Sequence, residues 1–210
     1  MQMNAETNLM TTLETINQAV FLRLNADLNT AAWKLNLAAV MADYLLYLIP
    51  LILVSLWFWG NESQRALALK ACVVALVGLG INQLLGIVWP HPRPFMMGLG
   101  HTFIPHAADS SFPSDHVTVF AAIGLTLIFA HIRSLAGWTT LSLGVCVAWA
   151  RIFLGVHFPL DMVGAVAVAS AVLLGISPVW RRVGGGLTAQ AMELYRAFLA
   201  RPIALGWIRD

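Results

Sequence analysis

Long apolar stretches, separated by short polar connections, make up most of this chain. A helix of such residues can cross a hydrocarbon core of roughly 30 Å. The predicted spans cover residues 37–59, 66–89, 113–132, 138–153 and 159–180. The pattern therefore predicts an all-α integral membrane protein with about five transmembrane helices, or six if the N-terminal segment also spans.

Two terminal segments carry apolar residues at helical spacing among charged ones, which is typical of amphipathic surface helices. In residues 8–30 the periodic positions are Leu9, Leu13, Ile16, Val20 and Leu24. Residues 187–200 predict a second surface helix, after a break at the three glycines 184–186. We expect one domain with an N-terminal surface segment (1–35), a transmembrane core (36–180) and a basic tail (181–210).

Composition and charge support this assignment and orient the protein. Of the 210 residues only 10% are charged, whereas soluble domains carry roughly a quarter. The net charge of +2 does not suggest nucleic acid, so the bilayer is the expected partner. One set of span ends holds Arg65, Lys70, Arg133, Arg181 and Arg182. The positive-inside rule makes that set cytoplasmic, and the opposite ends then face the periplasm or exterior of a bacterial plasma membrane.

The segment from Arg151 to Asp161 carries the strongest chemical signal, on the outward side. Pro159 suits the first turn of a helix, which places His157 at the helix mouth and Asp161 four residues further on. A carboxylate at that spacing can orient a nucleophilic histidine, and Arg151 can bind phosphate. The alternative is a juxtamembrane loop with a snorkelling arginine and a bystander histidine.

A second candidate stretch is Ser-Phe-Pro-Ser-Asp-His at residues 111–116. Pro113 predicts a helix start, so that the free N–H groups of Ser114, Asp115 and His116 can cradle an anion. His116, one turn into the helix, can give a proton to a leaving oxygen. An ordinary helix start with a snorkelling histidine is the alternative.

Other ionisable residues leave alternatives open. Arg93 lies between two prolines and is either a rigid phosphate clamp or a headgroup contact. Asp43, inside the first predicted span, either pairs with an active-site arginine or caps a neighbouring element. The loop residues His91, His101 and His106 predict a substrate rim, although His101, His106 and Asp109 also allow a metal site as the less favoured interpretation.

Together these stretches predict phosphoryl transfer without a metal or other cofactor. His157 is the expected nucleophile, oriented by Asp161, and His116 acts first as acid and then as base. The expected phosphate-binding residues are Arg93, Arg151, Ser114 and Asp115, the last two through their N–H groups.

The same residues resemble the three-part signature of the type 2 phosphatidic acid phosphatase superfamily: Lys-x6-Arg-Pro, Pro-Ser-Gly-His and Ser-Arg-x5-His-x3-Asp. The resemblance extends in particular to the bacitracin-resistance type of undecaprenyl-diphosphate phosphatase. It implies hydrolysis of undecaprenyl diphosphate to undecaprenyl phosphate and phosphate on the outer face, which recycles the carrier lipid of peptidoglycan synthesis. It also implies a phosphohistidine intermediate at His157.

Three positions depart from that signature. Gly86 occupies the place of the lysine, Asp115 that of the glycine and Ala150 that of the serine. We expect His91 to replace the lysine, and Asp115 to turn away, take a proton or contact a cation. The remaining alternatives are another lipid phosphate as substrate (phosphatidylglycerol phosphate, phosphatidate or lipid A) or a small transporter.

Overall fold

The structure, a computed structural model, describes the backbone of residues 2–210 and the side chains of residues 11–210. Its regular elements are helices. They are α1 (Gln2–Leu24), α2 (Ala32–Asp43), α3 (Leu48–Phe58), α4 (Glu62–Val88), α5 (Asp115–Ala130), α6 (Leu135–Phe153), α7 (Pro159–Phe198) and α8 (Ala200–Ala204). Single 3-10 turns lie at Leu45–Tyr47 and Pro94–Met97.

Four helical segments are long and apolar enough to cross a membrane, so the chain is a multi-pass membrane protein. They are Ala32–Phe58, Glu62–Val88, Leu135–Phe153 and Pro159–Phe198. The shorter apolar helix α5 lies in the centre of the bundle and packs against α4, α6 and α7. Its Phe120 and Ile123 are fully buried in the main hydrophobic core. The residues that carry chemistry are therefore anchored at the ends of closely packed helices.

The helix bundle has two ends. The cavity end is formed by the C-termini of α4 and α6 and the N-termini of α5 and α7. The tail end is formed by the C-termini of α3 and α5 and the N-termini of α4 and α6. The last residues of the chain also pack there. At the tail end Arg209 N donates to Phe58 O over 2.9 Å.

The first membrane segment is interrupted, as the proline within it predicts. Helix α2 ends at Asp43, the 3-10 turn Leu45–Tyr47 follows, and α3 begins at Leu48. Pro50 lies in the first turn of α3. Because proline has no backbone N–H, it cannot donate a hydrogen bond to the turn before it. The interruption leaves Asp43 at a helix end, close to the C-terminus of α6.

The predicted break at residues 184–186 is wrong, because α7 continues through the three glycines for 40 residues. A Cβ at Gly184 would lie 2.5 Å from Trp180 Nε1, so the ring covers this turn closely. Farther along, the Tyr195 ring stacks on Phe58 at 6.0 Å. Packing of the distal turns outweighs the helix penalty of about 1 kcal/mol per glycine. The basic tail is thus a continuation of the last span, with no separate surface helix at 187–200.

Helix α1 packs against the cavity end and is not among the segments apolar enough to span. Its Phe21 ring meets Phe158 edge-on at 5.2 Å. Asn17 Oδ1 accepts a hydrogen bond from Leu160 N over 3.0 Å, at the first turn of α7. Ile16 is exposed, as expected for a surface helix, whereas the side chain of Leu9 lies outside the described residues.

Candidate active site

A cavity of about 390 Å³ opens at the cavity end and brings the three predicted stretches together. Its walls are formed by Asn82, Gln83, Gly86, Ile87, Arg93, His106, Asp109, Ser110, Phe112, Pro113, Asp115, His116, Arg151 and His157. The histidines of α5 and of the loop before α7 therefore face a common space. Both predicted arginines line it as well.

His157 and Asp161 form a buried pair behind one wall of the cavity. Asp161 Oδ2 accepts from His157 Nδ1 over 3.0 Å and from the N–H of Phe158 over 2.8 Å. The fully buried hydroxyl of Ser111 donates to the same oxygen. Since the carboxylate oxygen accepts, Nδ1 carries the proton and Nε2 keeps its lone pair.

Burial also keeps His157 neutral. Desolvation lowers the pKa of His157 to about 4, although the hydrogen bond and charge of Asp161 oppose the shift. Arg151 and Arg93 lower this pKa further. At neutral pH the imidazole is therefore unprotonated at Nε2, the form in which it can act as a nucleophile.

Arg93 is held beside His157 by three acceptors. Its Nε donates to Asp109 Oδ1 over 2.8 Å, and its Nη groups donate to the carbonyl oxygens of Val156 and Ser110. Nη1 lies 3.1 Å from Nε2 and 3.5 Å from Nδ1 of His157. These similar distances place Nη1 over the imidazole face and leave the in-plane lone pair of Nε2 uncovered.

Asp109 is a site residue that sequence reasoning assigned only to a rim or a metal site. Burial raises the pKa of Asp109, but the hydrogen bond and charge of Arg93 outweigh this effect, so the pKa is lowered. The carboxylate therefore stays ionised and holds Arg93 in place. No group of three or more His, Cys, Asp or Glu side chains among residues 11–210 is arranged to hold a metal ion.

Arg151 is 2% exposed and contacts Asp43, the first of the two alternatives for that acid. Its Nη1 lies 3.7 Å from Asp43 Oδ1 and 3.4 Å from the carbonyl oxygen of Ala42. Its Nη2 lies 2.9 Å from Nε2 of His106. These partners hold the guanidinium at the end of α6, against the cavity wall.

The start of α5 differs from the prediction in two ways. Ser114 is the N-cap and Asp115 the first helical residue, so Pro113 precedes the helix. The Ser114 backbone is extended (φ −71°, ψ 116°), and its side chain makes no capping hydrogen bond. The N–H of Ser114 donates to the carbonyl oxygen of Asp161 over 3.3 Å. It is therefore not available to an anion, which leaves the N–H groups of Asp115 and His116 at the helix mouth.

The carboxylate of Asp115 is turned towards α4. It accepts from Asn82 Nδ2 over 2.8 Å and from Gln83 Nε2 over 3.0 Å. Both amides lie in the otherwise apolar C-terminal half of α4, which is the sequence signal for this contact. The two hydrogen bonds hold the negative charge at the α4 side of the cavity, away from the His157 wall.

His91 and His101 do not line the cavity. The His91 ring packs edge-on against Trp89 at 4.3 Å, so the expectation that it replaces the missing lysine is wrong. Its position is set by the two prolines and the aromatic contact. His101 is exposed, and its main chain is bonded to Asn25. Among the three predicted rim histidines, only His106 reaches the site.

Three buried side-chain atoms among residues 11–210 make no hydrogen bond to another protein group: Asn82 Oδ1, Ser114 Oγ and Arg151 Nε. All three residues form the cavity wall or adjoin it. A buried donor without a partner costs about 1–3 kcal/mol. Leaving the donors of Ser114 and Arg151 unpaired is therefore a cost that falls next to the cavity.

The fold and the site together define a class: a multi-pass helical membrane protein with a histidine–carboxylate pair and two buried arginines at one end of the bundle. Residues 67–184 match the sequence model of the PAP2 superfamily, and the chain belongs to that superfamily. The match spans the cavity-lining residues of α4, α5 and α6 and those of the loops before α5 and α7.

Two relatives carry names that state an activity. The chain is 38% identical over 198 residues to the Escherichia coli (strain K12) protein named "Putative undecaprenyl-diphosphatase YbjG", covering 94% of this chain and 100% of that protein. It is 37% identical over 134 residues to "Undecaprenyl-diphosphatase BcrC" of Bacillus subtilis (strain 168), covering 64% of this chain and 68% of that protein.

A solved structure shows the same fold at low identity. It is a transmembrane PAP2 type phosphatidylglycerolphosphate phosphatase from Bacillus subtilis, with a TM-score of 0.60 and 19% identity. The alignment covers 82% of this chain and 88% of that one. The helical arrangement is thus common to PAP2 proteins whose sequences have diverged widely.

Proposed function

We propose that this protein hydrolyses undecaprenyl diphosphate to undecaprenyl phosphate and inorganic phosphate. The observation that carries the proposal is the pairing of His157 with Asp161 beside two buried arginines, with unpaired donors on Arg151 and Ser114. This arrangement suits a transferring phosphoryl group, because catalysis of that reaction rests on positioning and charge stabilisation. The names of the relatives favour the undecaprenyl substrate.

In the proposed first step, Nε2 of His157 attacks the terminal phosphorus, and the bond to the bridging oxygen breaks. His116 gives its proton to that oxygen, which leaves as undecaprenyl phosphate. Arg93 and Arg151 stabilise the charge on the transferring oxygens. The product on the enzyme is a phosphohistidine whose positive ring is stabilised by Asp161.

In the second step His116, now neutral, takes a proton from water as the water attacks the phosphohistidine. The P–N bond breaks, inorganic phosphate leaves and His157 returns to its neutral form. Helix α5 supplies the base at its first turn, together with the N–H groups at its mouth. The reaction uses this chain's side chains alone.

We propose that the protein is one domain with five membrane spans, namely the four long apolar segments and α5. As a helix of 16 residues, α5 is about 24 Å long, so it needs the loops at its ends to complete the crossing. Arg133, Arg181 and Arg182 at the tail end favour a cytoplasmic tail end. The cavity then opens to the periplasm or exterior.

Phosphate release by the purified protein in detergent tests the substrate. We expect undecaprenyl diphosphate to be hydrolysed faster than phosphatidylglycerol phosphate, and the reverse preference would contradict the proposed substrate. If this chain were instead a transporter, wild-type protein would release no phosphate and His157→Ala would still transport.

Rapid quench with substrate labelled in the terminal phosphate tests the intermediate. Acid-labile label should appear on His157 within one turnover. His157→Ala should carry no label, and His131→Ala, at the opposite end of α5, should match the wild type.

A further inference from the structure

His106 lies in the cavity on the loop between α4 and α5, and the mechanism above gives it no step. Its Nε2 is 2.9 Å from Arg151 Nη2, and its Nδ1 is 3.2 Å from the carbonyl oxygen of Ala107. Its ring centroid is 6.1 Å from that of His157. His106 thus lies between an arginine expected to bind phosphate and the histidine expected to receive it.

The partners of His106 define its protonation. Arginine has no acceptor, so Nη2 of Arg151 donates and Nε2 of His106 accepts without a proton of its own. The imidazole proton is then on Nδ1 and donates to Ala107. The structure therefore shows a neutral His106 whose lone pair is used by Arg151.

Charged and titratable groups face His106 from every element around it. They are Arg93, Asp109, His116, Arg151 and His157. Burial, followed by the charge of Arg93, lowers the pKa of His106, while Asp109, with Oδ1 3.8 Å from Nδ1, opposes the shift. A dianionic phosphate group beside the two guanidinium groups would offset their charge and favour a protonated imidazole.

We propose that His106 is a phosphate-binding residue that takes up a proton as the diphosphate binds, an inference that rests on the proposed function. Nε2 of His106 takes one proton from a solvent or buffer acid, and its hydrogen bond from Arg151 breaks. The new N–H donates to a phosphate oxygen. Nη2 of Arg151 is released to donate to the same phosphate group, and one proton is consumed for each phosphate group bound.

Gly86 provides an independent reason for this role. It lines the same cavity, at the position where the family signature has a lysine. A Cβ at Gly86 would be 3.3 Å from Ser110 Cβ, so a side chain there needs only a small shift of that serine. His106 supplies, on the opposite wall, the positive charge that a lysine at position 86 would add, with the difference that its charge depends on pH.

Sulfate binding tests the proton uptake directly, because sulfate carries two charges and does not titrate between about pH 6 and pH 8. The full-length protein in detergent is titrated with sulfate by calorimetry in two buffers of different ionisation enthalpy. Wild type should take up close to one proton more per sulfate than His106→Gln, and His131→Gln should match wild type. Equal proton uptake in wild type and His106→Gln would overturn the proposal.

Kinetics provide a second test, with phosphate release from undecaprenyl diphosphate as the readout. His106→Gln should raise KM roughly 10- to 100-fold, as expected for a lost hydrogen bond to a charged group, with a smaller effect on kcat. Wild-type KM should rise with pH, whereas the variant's KM should not. Gly86→Lys added to His106→Gln should lower KM again and leave it independent of pH.

Failure of the proposed His106 role can be distinguished from failure of the proposed phosphatase function. A variant with wild-type KM, or with a loss confined to kcat, would overturn the role of His106 while the phosphatase function stands. If wild type released no phosphate from undecaprenyl diphosphate, the proposed function would fail. The sulfate measurement would still decide whether His106 binds anions with proton uptake.

Discussion

The two ends of the bundle each bury an arginine, and the comparison shows which kind of burial goes with chemistry. At the tail end, Arg65 is 1% exposed; its Nε and Nη2 donate to the carbonyl oxygens of Trp57 and Arg209, and its guanidinium stacks on Tyr195. At the cavity end, Arg151 is 2% exposed, but its Nε is unpaired and its Nη2 contacts a titratable histidine.

This difference predicts a structural role for Arg65 and a binding role for Arg151. Arg65 has backbone and aromatic partners that no ligand needs to displace, and it ties the start of α4 to the end of the chain. Arg151 is held by weaker and replaceable contacts next to a cavity. An unpaired buried donor next to a cavity is thus the feature that distinguishes Arg151 from Arg65.

The largest difference between the ends is expected for His157→Ala. Without a nucleophile next to the phosphorus, kcat should fall by roughly 10⁵–10⁶ and no phosphoenzyme should form. Single-turnover phosphate release measures this loss. His131→Ala at the tail end should retain activity, and a His157→Ala variant that still forms phosphoenzyme would contradict the assignment.

His116→Ala should slow the reaction by roughly 10²–10⁴, the range for a lost general acid. The defect should shrink for an ester with a nitrophenol leaving group, because that oxygen needs no proton to depart. Comparing kcat/KM for the lipid and the nitrophenyl ester measures the difference. An equal loss on both substrates would remove His116 from the role of acid.

The paired variants Arg151→Met and Arg65→Met test whether the two buried arginines contribute differently to activity. Arg151→Met should lower kcat/KM by roughly 10²–10³, as loss of a charge-stabilising donor does. Arg65→Met should keep kcat/KM near wild type.

Thermal unfolding in detergent supplies the converse readout for the same pair. Arg65→Met should lower the apparent Tm by roughly 3–12 °C, because it leaves two carbonyl groups without their charged donor. A stability loss for Arg151→Met as large as that for Arg65→Met, with activity retained, would reverse the distinction between the two ends.

A smaller effect is expected for Ser111→Ala. Asp161 then loses one of the donors on Oδ2, and the His157 ring is held less firmly. We expect kcat to fall roughly 10-fold with KM unchanged, since a hydrogen bond to a charged group is worth about 1.5–3 kcal/mol. Ser170→Ala, on an exposed face of α7, is the matched control and should behave as wild type.

The pH profile should show the smallest change. His157 attacks as the neutral imidazole, and burial lowers its pKa to about 4 from an ordinary value of about 6.5. The neutral form therefore persists as pH falls through 6.5 and is lost only near 4. In the His106→Gln background, kcat/KM should therefore show no fall on the acid side before about pH 5. An acid limb near 6.5 would contradict the burial of this residue.

Local patterns in the sequence predicted much of the site. Pro159 starts α7 and places Asp161 one turn from His157, because that spacing is a property of any helix. The first membrane segment is interrupted next to Pro50 for a similarly local reason. The helix start expected at Pro113 and the break expected at residues 184–186 were wrong: α5 begins at Asp115, and packing of the distal turns keeps α7 continuous through the glycines.

The partners of the site residues could not be predicted in the same way. The partners of three loop residues are set only when the loop packs over the helix ends. These residues are Ser111, Asp109 and His106. The pair Asp43 and Arg151 is separated by 108 positions, and the sequence alone left two alternatives for the acid. The missing lysine was visible at Gly86, but His91, the histidine expected to replace it, does not line the cavity.

The sequence by itself determined the membrane class, the approximate spans, the candidate cluster of ionisable residues and the superfamily resemblance. Each of these depends on hydropathy or on short helical spacing, which act within a few turns of chain. The tertiary structure decided which donors are satisfied, which arginine is structural and which histidine enters the cavity. Those outcomes depend on contacts between helices far apart in the chain, whose geometry is set only when the bundle packs.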